Sequence, residues 1–451
     1  MPVTDQANSR LKTSVLAAYV LPALVIALPT IPVYIHLPTL YGVQLGLGLA
    51  TTGIILLIAR LFDTVTDPLI GALCDRFGFL GSYRKPWIAV GAVIAGIGLY
   101  KVLTPTDVIS ESYLLIWLLV LYAGWTMVSV PYLAWGAELH SDYHQRTRIT
   151  AWREGVALTG IVGAGALTAA TAQMGWTELR SIGAIAWLAI LVGVAVFPLL
   201  LGVVPERQKR DDLQPGQKPR AVGTLLRSLF KNRPFLRLLS GWFLNGLANG
   251  IPAALFLIYL EHGLGAGPEE RPLFILAYFV AGIVAIPVWL RMSKSYGKSR
   301  VWCYAMACAC AAFLMVPFLP EGSFALFAVV CIVTGAALGA DLALPPAIQA
   351  DVIDYHQMKF GQESAGLQFA LWGMSTKLAL ALSVGLALPA LEFFGFDLAT
   401  TQDTKTTALI VIYAIVPIVI KVVAIAIIWR FPITQNRQAA IRRRLDARTP
   451  T

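Results

Sequence analysis

Three charged residues lie close together inside an apolar stretch: Arg60, Asp63 and Asp67, spaced three and four apart. On a helix that spacing puts all three on one face. A carboxylate pair at membrane depth is expensive, and ionisable groups there mark function by default. Two carboxylates one turn apart offer several oxygens to a hard cation such as sodium. The same pair suits a proton, because neighbouring carboxylates resist being ionised together. A structural reading stays open beside these: a salt-bridge set with Arg60 and Lys377. The pattern does not choose between the two ions.

The elements that position these residues follow from composition. Of 451 residues, 57% are hydrophobic and 13% charged, where a soluble domain carries about 25% charged residues. Apolar runs of spanning length recur from end to end. Lipid-exposed spans must satisfy their own backbone, so they are predicted to be helices. The alternating pattern of an outer-membrane barrel is absent. The net charge of +10 does not indicate nucleic acid, because the basic residues collect in alternate loops. Cys74, Cys303, Cys308, Cys310 and Cys331 fall in or beside spans and show neither a disulfide framework nor metal-ligand spacing. The first apolar run is too long for a signal peptide, and no small-residue cleavage site follows it.

Twelve spans are predicted, at about 14–36, 45–73, 86–104, 111–138, 150–173, 181–204, 235–261, 272–292, 299–319, 323–350, 363–392 and 405–431. The expected organisation is a cytoplasmic tail (1–13), a six-helix bundle (14–204), a polar basic linker (205–234), a second six-helix bundle (235–431) and a basic cytoplasmic tail (432–451). Prolines 22, 29 and 32 predict a kinked first span. Loops after even-numbered spans carry most of the Arg and Lys, which predicts that both termini face the cytoplasm.

Other residues at membrane depth are candidates for binding a solute. Span 4 aligns Trp125, Ser129, Tyr132 and Gly136 on one face. An aromatic ring beside a hydroxyl suits a sugar or another flat organic molecule, and suits interface packing equally. Asn245 and Asn249 lie one turn apart in span 7, where amides glue helices or line a cavity. Asp341 sits inside span 10, ahead of Pro345 and Pro346, and should face a cavity or a partner. Lys377 shares a face of span 11 with Gly366, Phe369 and Gly373. It either neutralises the span 2 aspartates or competes with a cation for them. Trp372 points away from Lys377 and is a weaker candidate. Asp351, Asp354, Glu138, Arg146 and Arg148 lie at the expected cytoplasmic rim, as solvated loop charges or as gate contacts between halves.

Two six-span halves with matching basic loops after spans 2 and 8 resemble the major facilitator superfamily. The segment Gly71-Ala-Leu-Cys-Asp75-Arg76, with Arg84 and Lys85 beyond it, resembles that superfamily's loop signature, although Arg76 and Arg84 are further apart than in the common form. Arg60-Leu-Phe-Asp63-Thr-Val-Thr-Asp67-Pro68 resembles the helix II motif of the glycoside–pentoside–hexuronide:cation symporters, the melibiose permease family. Lys85-Pro86-Trp87, Val130-Pro131-Tyr132, the stretch RTRITAWR at 146–153, and Gln349-Ala-Asp351-Val-Ile-Asp354-Tyr355 with Gly361 and Glu363 are similar to its later motifs. The resemblance implies an all-α polytopic membrane protein with the major facilitator fold. It implies that Asp63 and Asp67 bind the cation, that Arg153 lines the solute cavity, and that Lys377 stands near both. It also implies a latch formed by Arg60, Asp75, Arg76, Arg84 and Lys85, with gate contacts at the rim. The spacing of Lys377 from Glu363 is slightly longer than in the family. One departure concerns the cargo. Family sugar carriers place an aspartate in span 1, where this chain has no carboxylate and aligns Ala23; Ser129 stands where they have another.

The expected function is cation-coupled symport, with Na+ or H+, of a glycoside, sugar or uronide by alternating access. A cation-coupled lysolipid or amphiphile carrier is the alternative, and a non-transporting scaffold or sensor the further one. No nucleotide-binding P-loop is present, and no nucleophile–base or metal-ligand constellation supports an enzyme. No cofactor, metal or nucleic acid is expected, only a solute and the lipid bilayer. The location expected is the cell inner membrane, as a monomer.

Overall fold

The computed structural model describes residues 11–76, 82–105, 109–139, 143–206, 227–361, 365–396 and 403–446. Twelve helices among them are long and apolar enough to cross a membrane. We number them α1 (Thr13–Gln44), α2 (Leu49–Arg76), α3 (Lys85–Leu103), α4 (Glu111–Glu138), α5 (Tyr143–Gln173) and α6 (Glu178–Val203), then α7 (Arg233–His262), α8 (Arg271–Tyr296), α9 (Lys298–Phe313), α10 (Phe324–Phe360), α11 (Ala365–Phe393) and α12 (Thr407–Ile428). A thirteenth helix, α13 (Gln435–Asp446), follows the last span. Polar residues set several starts. Ser110, Thr177 and Asn232 each accept a backbone N–H of the first turn of α4, α6 and α7, which answers part of the orphan donor set at a helix N-terminus.

Three boundaries depart from the sequence reading. The first span does not end near 36. It runs to Gln44 through two π-helical turns, Pro32–His36 and Leu40–Gln44. Prolines 32 and 38 supply no N–H, so the ladder slips one residue: Leu37 N–H reaches Pro32 O, and Leu45 N–H reaches Leu40 O. The far end of α1 is tied down by Tyr41 Oη to Val102 O (2.7 Å), by His36 Nδ1 to Glu178 Oε1 (2.6 Å) and by Gln44 Nε2 to Glu178 Oε2 (2.5 Å). Span 10 does not give way to a loop at 350. It continues to Phe360 and stops at Gly361, whose φ of 63° is the left-handed C-cap. Gln349, Asp351, Asp354 and Tyr355 therefore sit on a helix and not in a loop. The fifth helix begins at Tyr143, which places Arg146 and Arg148 on its first turns.

The chain forms two compact units. The first comprises Met1–Asp212 with Pro268–Leu273, and the second Leu213–Gly267 with Phe274–Thr451. Within the stretch expected as a linker, residues 227–230 are helical, and Leu229 and Asn232 are buried. Lipid offers no hydrophobic drive between spans, so small residues at contacts decide the packing. In unit 1, α3 lies against α4: a Cβ at Gly98 would fall 2.6 Å from Leu121 Cα, and one at Gly124 would strike the backbone of Ala95. In unit 2, α8 and α10 meet the same way, with Gly335 against Tyr278 and Gly339 against Gly282. The core of unit 2 gathers Phe235, Trp302 and Ile348, and Tyr259 stacks on Tyr413 at 4.3 Å.

A side chain at Gly98 has nowhere to go. Gly98→Leu is expected to cost about 1–3 kcal/mol through overpacking, read as a lower melting temperature of the detergent-solubilised protein. Gly96, two residues away, would place a Cβ in open space, so Gly96→Leu is expected to melt with the native protein.

Candidate functional site

Unit 1 holds the carboxylate pair. Asp63 is buried and Asp67 half-buried on α2. The hydroxyl of Thr126 on α4 lies 3.0 Å from Asp63 Oδ1 and 3.1 Å from Asp67 Oδ1. One hydroxyl proton is thus shared between two carboxylates one turn apart, and three oxygen-bearing side chains converge on one point. Thr64 and Thr66 donate back to Arg60 O and Asp63 O, the local bonding of hydroxyls within a helix. Arg60 was expected in the latch. It is instead 4% exposed, with its guanidinium 4.0 Å from the centre of the Tyr34 ring and with Tyr122 and Asp63 within electrostatic reach. It is buried inside the span, on the same helix as the carboxylates.

The face proposed for span 4 is divided by its neighbours. Tyr132 is buried, its hydroxyl donates to Tyr19 O at 2.7 Å, and Tyr19 donates back to Tyr132 O at 3.1 Å. The two rings stack at 4.8 Å. This clasp between α1 and α4 uses up a residue expected to face a solute. Arg153 on α5 lies within electrostatic reach of Tyr19 and pairs with Glu154 at 2.5 Å. Ser129 is half-buried. Trp125 faces α1, α3 and α6, whereas the next residue, Thr126, faces α2.

Unit 2 holds a second polar cluster, and its central residue was not singled out from the sequence. Lys421 on α12 is 2% exposed. Its Nζ donates to Asn245 Oδ1 and to Asn249 Oδ1, each at 2.7 Å. Asn249 Nδ2 donates to Asp341 Oδ2 at 2.8 Å, and Trp302 Nε1 donates to Asp341 Oδ1 at 2.6 Å. Four spans, α7, α9, α10 and α12, are joined by a chain running from ammonium through amide to carboxylate. Asp341 thus has the partner that its depth demands. A single lysine inside the VIKVVAIAII stretch was the available signal. Trp372 stacks on Trp242 at 4.5 Å, and Trp242 donates to Thr376 at 2.7 Å. Lys377 is half-buried on α11.

Residues 82–84, which lead into α3, are held by Glu206, which was not singled out from the sequence. Glu206 Oε1 accepts from Tyr83 N at 2.7 Å and Arg84 N at 2.6 Å, and Oε2 bonds Ser82. Arg84 also reaches Cys74 Sγ at 3.4 Å, and Lys85 lies over the Trp135 ring at 5.5 Å. In unit 2, Asp351 pairs with Lys298 of the same unit at 2.7 Å, where a contact between halves was expected. Arg148 and Asp354 are half-buried on their helices. The side chains of Asp75, Arg76, Glu138 and Arg146, and residues 77–81 of the loop, lie outside the described residues. Among the described residues no cluster of metal-ligating side chains is found.

The two buried charges of unit 2, Lys421 and Asp341 bridged by Asn249, predict a signature. Lys421→Met leaves Asp341 and its amide partners without their cation. Leaving a buried charge uncompensated costs up to about 3–5 kcal/mol, so the melting temperature should fall. The double variant Lys421→Met with Asp341→Asn should recover most of that loss. Equal loss in the single and double variants would show that the two charges are not coupled.

Comparison with known proteins agrees with this architecture. A family profile described as MFS/sugar transport protein matches residues 18–435. The human sodium-dependent lysophosphatidylcholine symporter 1 is 24% identical over 443 residues, covering 89% of this chain and 79% of that protein. The putative glycoside/cation symporter YagG of Escherichia coli (strain K12) is 22% identical, covering 89% and 87%. Among solved structures, a D-xylose-proton symporter superposes with a TM-score of 0.66 at 15% identity, covering 93% of this chain and 97% of that one. The fold is that of the major facilitator transporters, and the chain is a multi-pass membrane transporter and not an enzyme. Twelve spans in this order, together with a profile match from the first span to beyond the last, establish that the chain belongs to the MFS/sugar transport protein family.

Proposed function

We propose that Asp63 and Asp67, joined by Thr126, form the coupling-cation site of this symporter. The chain is a cation-coupled symporter of a small organic solute. The observation that carries the site assignment is the convergence of three oxygen-bearing side chains at membrane depth. Carboxylate and hydroxyl oxygens suit a hard monovalent cation, and a proton shared between the two carboxylates suits the same geometry. Arg60, buried beside them, keeps the empty pair from being an uncompensated double negative charge. The solute is a glycoside, sugar or uronide, met by polar side chains of each unit: Arg153 in unit 1, and Lys377, Asn245, Asn249 and Asp341 in unit 2. Alternating exposure of these side chains carries it across the inner membrane, with both termini cytoplasmic and one chain sufficient.

A lysolipid or related amphiphile is the second reading, and two observations favour it. Ala23, where family sugar carriers have an aspartate, is buried and apolar. The similarity to a lysophosphatidylcholine symporter extends over 89% of the chain.

Uptake by membrane vesicles under an imposed sodium or proton gradient tests both readings, with glycosides, hexuronides and lysophosphatidylcholine as solutes. Asp63→Asn and Asp67→Asn are each expected to abolish gradient-driven accumulation. Gradient-driven uptake surviving in both variants would remove the ion-site assignment. Thr126→Ala is expected to raise the half-saturating ion concentration about tenfold, the equivalent of ~1.4 kcal/mol, with the folded protein's yield unchanged.

A further inference from the structure

Unit 1 contains a cleft that the transport reading does not use. Its volume is about 640 Å³, and no charged residue lines it. The walls are α3 and α6, with α1 and α4 behind them. Small side chains open it: Ala92 and Gly96 on α3, Ala189 and Gly193 on α6. A Cβ at Gly96 would touch nothing within 4 Å. The floor is made by Leu121 and Val128 of α4, which are 1% and 3% exposed.

The rim belongs to the lipid-facing surface. Val93 and Ile97 of α3 and Trp187 and Val194 of α6 line the cleft and are also largely exposed. All four helices are spans, so the mouth opens sideways into hydrocarbon. An apolar recess of this size stays dry, and an empty one forfeits the dispersion contacts of its walls. The bilayer interface therefore continues into the cleft. The lining runs from Ala89 to Tyr100 on α3 and from Trp187 to Leu201 on α6. At 1.5 Å per residue these stretches are about 16 and 21 Å long, comparable to one leaflet of a ~30 Å hydrocarbon core.

One end is marked by cations. A Cβ at Gly183 would lie 3.2 Å from Thr104 Cγ2, so the start of α6 meets the end of α3. Lys101 and Arg180 stand at those two helix ends. Lys101 Nζ lies 5.7 Å from the Trp117 ring centre, and Arg180 lies 4.2 Å from that of Trp176. Paired aromatic and basic side chains at a span end mark the headgroup level.

We propose that this cleft binds one acyl chain of a bilayer phospholipid, with the phosphate at the Lys101 and Arg180 end and the chain running toward Ala89 and Leu201. The site takes a lipid of the surrounding membrane and is independent of the cargo. Only the wall is shared: Trp125 lines the cleft, and Thr126 bonds the carboxylates.

The test uses the full chain in vesicles of phosphatidylethanolamine and phosphatidylglycerol, doped with phosphatidylcholine carrying a photoreactive diazirine in one chain. After irradiation, labelled residues are mapped by peptide mass spectrometry. Lipid that merely surrounds the protein reaches Val284 and Val288, which are exposed on α8, but not the buried Leu121 and Val128. Labelling of Leu121 and Val128 at a level comparable to Val284 is expected. Gly96→Trp, which fills the cleft, is expected to cut floor labelling about fivefold and leave Val284 unchanged; Gly96→Leu is the milder filler if the tryptophan variant does not fold. An unlabelled floor, or floor labelling indifferent to both fillers, overturns the proposal. Displacement of the label by micromolar lysophosphatidylcholine also overturns it, because the cleft would then hold cargo. None of these outcomes depends on the cation-site assignment, since no uptake is measured.

Discussion

A charge held at bilayer depth must be answered by other side chains, because hydrocarbon offers it neither water nor counter-ion. That constraint orders both units. In unit 1, Asp63 and Asp67 are answered by Thr126 across the helix contact, with Arg60 buried one turn from Asp63. In unit 2, Asp341 is answered by Asn249 and Trp302, and through the asparagines by Lys421. Each arrangement fixes which helices must be neighbours. The α2–α4 contact brings Thr126 to the aspartates, and the convergence of α7, α10 and α12 brings the ammonium to its amides. The glycine contacts at Gly98, Gly124, Gly335 and Gly339 allow other helix pairs to pack closely.

The two polar clusters differ in a way that bears on their roles. The first is rich in acceptors and short of protons, because one hydroxyl hydrogen serves two carboxylates. Such a cluster is improved by a cation. The second is closer to balanced: an ammonium, two amides, an indole and a carboxylate, with only the Asn245 Nδ2 donor lacking an acceptor among the described residues. The second suits holding four spans together and presenting amides to a polar solute. In the rim and loop regions, Glu206 and Lys298 serve local order, each pairing within its own unit.

What could be read in the sequence, and what could not, divides along a physical line. Hydrophobic length and loop charge depend on composition, and they sufficed for twelve spans. The spacing of Arg60, Asp63 and Asp67 is a property of one helix, so it too was legible. Thr126 and Lys421 were missed because their meaning lies in which helix sits opposite, and periodicity within a span carries no such information. The same gap explains Tyr132, whose aromatic hydroxyl resembled a solute contact until Tyr19 was seen against it. Glu206 and Lys298 were hidden in loops read as topology signals. The continuation of α10 past 350 was obscured because charged residues at 351 and 354 ended the hydropathy run, although the backbone stays helical to its glycine cap at 361.

The two π-helical turns of α1 bear on how this segment is to be compared with others. Each π turn accommodates one residue more than the α-helical repeat, and one residue corresponds to about 100° of rotation. After both turns, the phase of α1 lags by roughly 200° relative to an unbroken helix. A helical wheel drawn from Thr13 through to Gln44 therefore assigns the last turns to nearly the opposite side from the one they occupy. Chain length between Pro32 and Gln44, more than residue identity, decides which side chains of that end look inward. A relative lacking one residue there would present a different set of side chains to Glu178 and Val102 from an otherwise identical sequence.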